Sequence, residues 1–411
     1  MSATLGLYIS VPFCRAKCTY CNFASGVFPA SEHGRYVERV CAEIRGARGR
    51  AKLEGWLLPE RAGSVYLGGG TPSTLEPERL REIFAAVREN LTVERDAEIT
   101  IECAPGQIAP DFLKAMVEVS ATRVSLGVQS MVDAEAAATG RMHTRAIVQE
   151  DVRRLHDAGL AVNVDLIAGL PGQTISSWME SAEAVCGLGI EHASLYMLEV
   201  DEDSRLGREL IGGGARYGAA LVPTDDAVAA MYEAGCERLE RAGLAQYEIS
   251  NFARRGAESR HNLRYWRREP YLGAGLDAHS MLRHRDGGAV RFGNTDELAG
   301  YLAGDTEAEV EVEVERVDRA AELEESWFLG LRLVEGVSLP ALRCEFGDDA
   351  IAVFDEAIGE LVGDGLLMRE GDRVALTMRG RMLSNEVFGR FLGVAAELIS
   401  TEPGELLLPT R

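Results

Sequence analysis

This chain of 411 residues is short of several things, and each shortage closes off a class of protein. Basic residues are few: 43 lysines and arginines face 65 aspartates and glutamates, for a formal net charge of −22. A phosphate backbone is met with a basic stripe, so a nucleic-acid partner is not expected. Long apolar runs are missing, and none approaches the ~20 residues that span a bilayer. No basic-then-apolar leader precedes the first apolar segment, so a cytoplasmic protein is expected. Eight cysteines offer no even framework of pairs, which argues against disulfides. Internal repeats and low-complexity segments are absent as well. The remainder is ordinary: 46% hydrophobic and 26% charged, which at this length suits one large domain and a smaller one.

Three cysteines do stand together. Cys14, Cys18 and Cys21 have the spacing Cys-x3-Cys-x2-Cys between Pro12 and Phe23. Three thiolates on one tight loop bind three irons of a four-iron cluster, which normally takes four protein ligands. The fourth iron is left for an exchangeable ligand. A structural zinc ion wants four tetrahedral ligands, and no second Cys/His pair lies nearby. Cys41, Cys103, Cys186, Cys236 and Cys344 sit singly and read as small buried apolar residues.

Up to about Ala242, short apolar runs alternate with amphipathic stretches. Strands are expected at Leu5–Val11, Val65–Leu67, Ile99–Glu102, Val124–Leu126, Val162–Ile167 and Ala193–Leu198. Helices are expected within Tyr36–Arg45, Glu78–Asn90, Ile147–Ala158 and Ser177–Leu188, with Pro77 in a first turn and Gly159 at a helix end. The alternation predicts an α/β fold of parallel βα units closing toward an incomplete, TIM-like (β/α)6 barrel. In such barrels functional residues gather at the C-terminal strand ends. The cysteine loop, the run Gly68-Gly69-Gly70-Thr71-Pro72 and Glu102 all fall there. Consecutive glycines let the backbone approach a ligand. Gly70 is expected to serve that ligand alone, so that a bulkier residue would spare the cysteine loop. Gly169-Leu170-Pro171-Gly172-Gln173-Thr174 lacks the Lys-Ser/Thr ending of a phosphate loop and reads as a strand-to-helix turn.

The domains are read as 1–242, a connecting region 243–318, and 319–411. Glu307–Glu315 reads as an edge strand. Ile351, Phe354, Ile358, Leu361 and Val362 share one helical face, and Glu370-Gly371-Asp372 reads as a hairpin turn. Helix then hairpin suggests a C-terminal winged-helix-like α+β domain. That domain is not basic, which favours a structural or lid role.

Taken together, Tyr8–Phe23, Tyr66–Pro72, Thr100–Pro105, Ser125–Ser130, Asn163–Thr174 and Tyr247–Ser280 resemble the HemN/HemW group of radical S-adenosylmethionine (SAM) proteins. That group unites oxygen-independent coproporphyrinogen III oxidases with heme chaperones. The resemblance implies a [4Fe–4S] cluster on Cys14, Cys18 and Cys21 that chelates SAM. Its reduction in the family cleaves the sulfonium and leaves a 5'-deoxyadenosyl radical. The resemblance also implies that Tyr8 lies against SAM and that Gly69, Gly70 and Thr71 cradle its methionyl end. Glu102 would accept from its ribose, and Gln129, Arg141 and Asp165 would contact SAM or a second nucleotide.

Two departures separate the chain from the oxidase branch. The oxidases place a fourth cysteine two residues after the third, where this chain has Phe23. Only 13 residues precede Cys14, so the long N-terminal arm that helps enclose the porphyrinogen is expected to be missing. Arg260-His261-Asn262-Leu263-Arg264-Tyr265-Trp266 is similar to the His-Asn-x-x-Tyr-Trp motif of the chaperone branch. The resemblance makes His261, Asn262, Tyr265 and Trp266 heme residues. A neutral imidazole is a fit axial ligand and arginines pair with propionates; His279 is the next imidazole in the region. The expected function is a heme chaperone passing heme to respiratory hemoproteins, some of them membrane-associated. A homodimer and a peripheral seat at the inner membrane face are left open. A coproporphyrinogen III oxidase, and a nucleic-acid modifying or regulatory protein using the winged domain, are the alternatives.

Overall fold

A computed structural model describes residues 4–303 and 313–395. Six parallel strands form its centre: β1 (Leu5–Val11), β2 (Arg61–Gly69), β3 (Thr92–Cys103), β4 (Arg123–Gln129), β5 (Ala161–Ala168) and β6 (His192–Met197). They lie side by side in chain order. β1 pairs on its other side with Tyr271–Ala274, and β6 with Asn251–Ala253. β1 and β6 do not pair with each other, so the barrel is incomplete, as expected.

Strand periodicity decides which residues face inward. Leu5, Leu7, Ile9, Val65, Leu67, Ile99, Ile101, Val124, Leu126, Val162 and Val164 are all buried. The alternate positions are polar or glycine. One row runs Glu102, Ser125, Asn163, His192 across neighbouring strands, and the next holds Gly127, Asp165 and Ser194. Apolar faces pack outward under the helices while a polar interior faces the axis. Cys103 alternates with Glu102, is buried at 4% exposure, and belongs to the apolar set.

The crossover helices obey local signals. Pro77 opens Pro77–Asn90 at its first turn. Thr174 caps Ile175–Cys186 in a reciprocal capping box with Ser177. Gln173 Oε1 accepts from the Gly169 amide at 2.7 Å, so this glycine-rich stretch is the anticipated strand-to-helix turn.

The chain divides into two compact units: Met1–Arg264 with Glu269–Asp286 and Val290–Glu315, and Tyr265–Arg268 with Gly287–Ala289 and Arg316–Arg411. Most of 243–318 thus joins the first unit, where its short strands extend the central sheet. In the second unit Leu367–Glu370 and Arg373–Leu376 form the expected hairpin, and Val337–Ser338 adds a third strand. The single helix expected through Ile351 and Val362 is instead two, Asp348–Ala352 and Asp355–Gly363. Phe354, between the two helices, is fully buried, so the chain bends to seat that ring against both Trp327 and Phe391. The edge strand expected at Glu307–Glu315 lies mostly outside the described residues; Glu313–Val317 is a strand. Among the described residues no helix is long and apolar enough to cross a membrane.

Candidate functional site

The cysteine loop leaves β1 and is tied at its base, where Cys14 N donates to Gly26 O and Gly26 N to Pro12 O, both at 2.9 Å. Further along, Thr19 N donates to Thr139 O (3.2 Å), Leu206 N to Thr19 O (2.8 Å), and Lys17 Nζ to Phe23 O (3.1 Å). The Arg205 guanidinium also bonds Lys17 O. The glycine run fastens the loop from the other side: Gly70 N donates to Val11 O and Thr71 N to Phe13 O, both at 2.8 Å. Gly69 has φ +97°, a conformation open to glycine. A Cβ on Gly70 would lie 2.7 Å from Val11 O, 2.8 Å from Pro12 C and 2.9 Å from Phe13 O. Gly70 therefore serves the cysteine loop's own backbone, which corrects the expectation that it serves a ligand alone.

Cys14, Cys18 and Cys21 all line one cavity of about 550 Å3. Thr71 Oγ1 bonds Cys14 Sγ at 3.7 Å. Burial first, and then the neighbouring Cys21 and Cys18, push the Cys14 thiol pKa up. A coordinating metal would deprotonate such a thiol outright. Among the described residues no group of three or more His, Cys, Asp or Glu side chains converges on a single-ion position. The donor set fits a cluster whose irons take one thiolate each.

Gly69, Gly70, Thr71, Glu102, Gln129, Arg141 and Asp165 line the same cavity. Glu102 Oε1 accepts from Tyr66 OH at 2.8 Å. Burial raises its pKa to about 7, Asp165 adding to the shift while Tyr66 and the Gly69 amide oppose it. Asp165 accepts from Asn163 Nδ2 (2.7 Å) and Ser125 Oγ (3.2 Å), and burial pushes its pKa up as well. Arg141 Nη2 donates to Tyr20 OH at 3.2 Å. A Cβ on Gly127 would lie 3.2 Å from both Arg141 Nη2 and Gln129 Nε2, so the missing side chain leaves both groups room. Gln129 Oε1 and Arg141 Nε are buried without a protein partner. Two carboxylates, a guanidinium and unsatisfied polar atoms beside three thiols suit a polar, zwitterionic ligand with hydroxyls.

The remaining expected site residues stand elsewhere. Tyr8 is not in the cavity lining; its ring stacks 6.1 Å from that of Tyr66. His261 is 2% exposed at the opposite end of the barrel from the cysteine loop, bonded through Nδ1 to Ser64 Oγ at 3.0 Å. Its ring is packed against Tyr66 rather than open to an iron, and burial, then Arg264, lowers its pKa to about 3, which keeps it in the neutral form that a metal would need. Asn262 belongs with it to the first unit, whereas Tyr265 and Trp266 belong to the second, where Trp266 lies 4.4 Å beneath the Arg332 guanidinium. His279 is the exposed first residue of the strand His279–His284, beside Asp277.

Sequence reasoning missed Tyr66, Ser125, Asn163 and Tyr196. Tyr66 shares strand parity with Gly68 and Asn163 with Asp165, whereas Tyr196 lines the cavity from β6, where no residue was singled out. Phe23, at the position of the oxidases' fourth cysteine, is 64% exposed and also lines the cavity.

Known proteins resemble this chain over most of its length. The radical SAM superfamily profile matches residues 8–185, and that of the HemN C-terminal domain residues 317–383. The chain is 35% identical over 393 residues to heme chaperone HemW of Mycobacterium tuberculosis (strain H37Rv), covering 94% of this chain and 95% of that one. It is 32% identical over 387 residues to heme chaperone HemW of Lactococcus lactis, covering 94% and 96%. Coproporphyrinogen III oxidase (HemN) from Escherichia coli superposes with TM-score 0.81 at 22% identity, over 95% of this chain and 90% of that one, a likeness of fold.

Proposed function

The chain belongs to the heme chaperone HemW family of the radical SAM superfamily, and from that premise we propose that it binds heme and delivers it to hemoproteins. Cys14, Cys18 and Cys21 hold a [4Fe–4S] cluster, and the cavity beside them takes SAM. The observation that carries this reading is the meeting of three thiols, Glu102, Arg141 and Asp165 in one cavity. When bound, the cluster supplies a one-electron reductant at the sulfonium.

The chain's own residues position SAM. Gly69 and Thr71 shape the methionyl end of the cavity, and Glu102 accepts from the ribose. Arg141, Gln129 and Asp165 complete a polar wall whose open valences a ligand satisfies. Heme is assigned to the Arg260–Trp266 segment, where Asn262, Tyr265 and Trp266 are partly exposed. His261 reaches iron only if this helix leaves its seat in the barrel. The recipients are respiratory hemoproteins, and the protein works in the cytoplasm.

Phe23 separates this reading from a coproporphyrinogen III oxidase, because the side chain there cannot supply the thiol of that pattern. Anaerobic reconstitution followed by parallel heme titration and a coproporphyrinogen III assay tests the assignment. Heme binding without protoporphyrinogen is expected; clear turnover would replace the chaperone with the enzyme.

A further inference from the structure

Residues 260–264, in the helix Arg260–Trp266, pack against the barrel at its N-terminal strand ends. Glu98, at that end of β3, accepts from Ser259 Oγ (3.3 Å) and from the backbone amides of Arg260 and His261 (3.0 Å each). Arg123 balances this carboxylate at 3.4 Å. Arg264 reaches from the helix to Thr4 O (2.9 Å), Thr4 Oγ1 (2.6 Å) and Glu269 (3.0 Å). A Cβ on Gly6 or Gly63 would lie 2.7 or 2.4 Å from Arg264, so two glycines clear its path.

Arg264 Nε also donates to Ser64 Oγ at 3.1 Å. The same hydroxyl bonds His261 Nδ1 at 3.0 Å and so fixes the ring's place. The ring so oriented stacks on Tyr66, centroids 5.2 Å apart and planes 29° apart, with Tyr8 a further 6.1 Å from Tyr66. Tyr66 in turn donates to Glu102.

We propose that His261 is a positioning residue for the SAM cavity: its ring holds Tyr66, and through Tyr66 the Glu102 carboxylate. His261 and the nucleotide site are then mechanically coupled, and anything that displaces His261 loosens Glu102. The inference rests on the assignment of Glu102 to SAM.

The test uses the full chain, reconstituted anaerobically. Iron per chain, SAM affinity from the SAM-induced change in the cluster's EPR spectrum, and heme affinity are measured for each variant. Tyr66→Phe and His261→Ala should each weaken SAM about tenfold, the value of one lost hydrogen bond, with iron content unchanged. The double variant should be little weaker than either single one, because both act through one contact. His261→Phe, which keeps a ring against Tyr66, should recover most of the loss. Unchanged SAM affinity in His261→Ala, beside a weakened Tyr66→Phe, overturns the proposal while leaving Glu102 in place. Loss of iron together with SAM in both His261 variants overturns it too, as a merely structural role. Unchanged affinity in Glu102→Gln removes the SAM assignment itself, and the proposal with it.

Discussion

Replacing Gly70 by alanine should cost the protein its cluster, although no cysteine is touched. The added Cβ meets three backbone atoms of the residues leading into Cys14, all between 2.7 and 2.9 Å, where real Cβ atoms essentially never come below 3.0 Å. None of the three is a flexible side-chain end, so the loop itself must move. Overpacking of this kind costs ~1–3 kcal/mol. The shift also strains Gly70 N to Val11 O and Thr71 N to Phe13 O, bonds worth ~0.5–1.5 kcal/mol each. A net loss near 2 kcal/mol changes the ratio of docked to undocked loop by roughly thirtyfold. The assay is iron and sulfide per chain after anaerobic reconstitution, with Gly359→Ala as the control, since an added Cβ there meets nothing within 4 Å. The control should load fully and Gly70→Ala poorly, with valine worse. A fully loaded Gly70→Ala protein that has lost only SAM affinity would refute the reasoning and restore the ligand-only role.

Serine at Cys14, Cys18 or Cys21 should abolish the brown absorption of the reconstituted cluster, while serine at Cys103 or Cys186 should leave it; equal loss from all five would sink the ligand assignment. Glu102 keeps its proton in the folded state up to about pH 7, against 4.5 for the ordinary group. The folded chain binds the extra proton, so this carboxyl's contribution to the stability of SAM-free protein is lost as pH rises through that window. Urea midpoints at about pH 5 and about pH 8 should show the decline in the native protein and its absence in Glu102→Gln; parallel declines in both would place the titration elsewhere. Phe23→Cys should not create coproporphyrinogen III turnover, because one thiol does not supply a substrate enclosure; measurable protoporphyrinogen from that variant would show that the thiol alone separates the branches.

Much of the fold was legible because βα units announce themselves by period. Leu5–Val11 reads the same from the sequence and in the barrel, and Pro77 and Thr174 mark helix starts by local chemistry. The cavity's members could be named singly, since thiols, glycines and a strand-end carboxylate are distinctive. Their support could not. Tyr66 acquires meaning only when β2 lies beside β3 and its hydroxyl reaches Glu102, a relation between residues 36 apart. The break at Phe354 was hidden for a similar reason: every residue around it suits a helix, and only the Trp327 and Phe391 rings explain the bend.

His261 shows how residues that suit a ligand can also satisfy one another. A histidine among aromatics and arginines has the composition of a heme site, yet the same atoms satisfy one another when packed. The Ser64 hydroxyl occupies Nδ1, Tyr66 and Tyr8 take the ring, and Arg264 spends its donors on Ser64, Thr4 and Glu269. The four motif positions on one short helix are also shared between two compact units. His261 is 2% exposed, so binding iron through it must move the ring out of its seat and unstack Tyr66, a cost the iron–imidazole bond has to exceed. If heme does draw this helix out, Glu102 loses its donor in the same event. Heme loading and SAM affinity would then oppose each other by equal factors, since coupling between two sites is reciprocal.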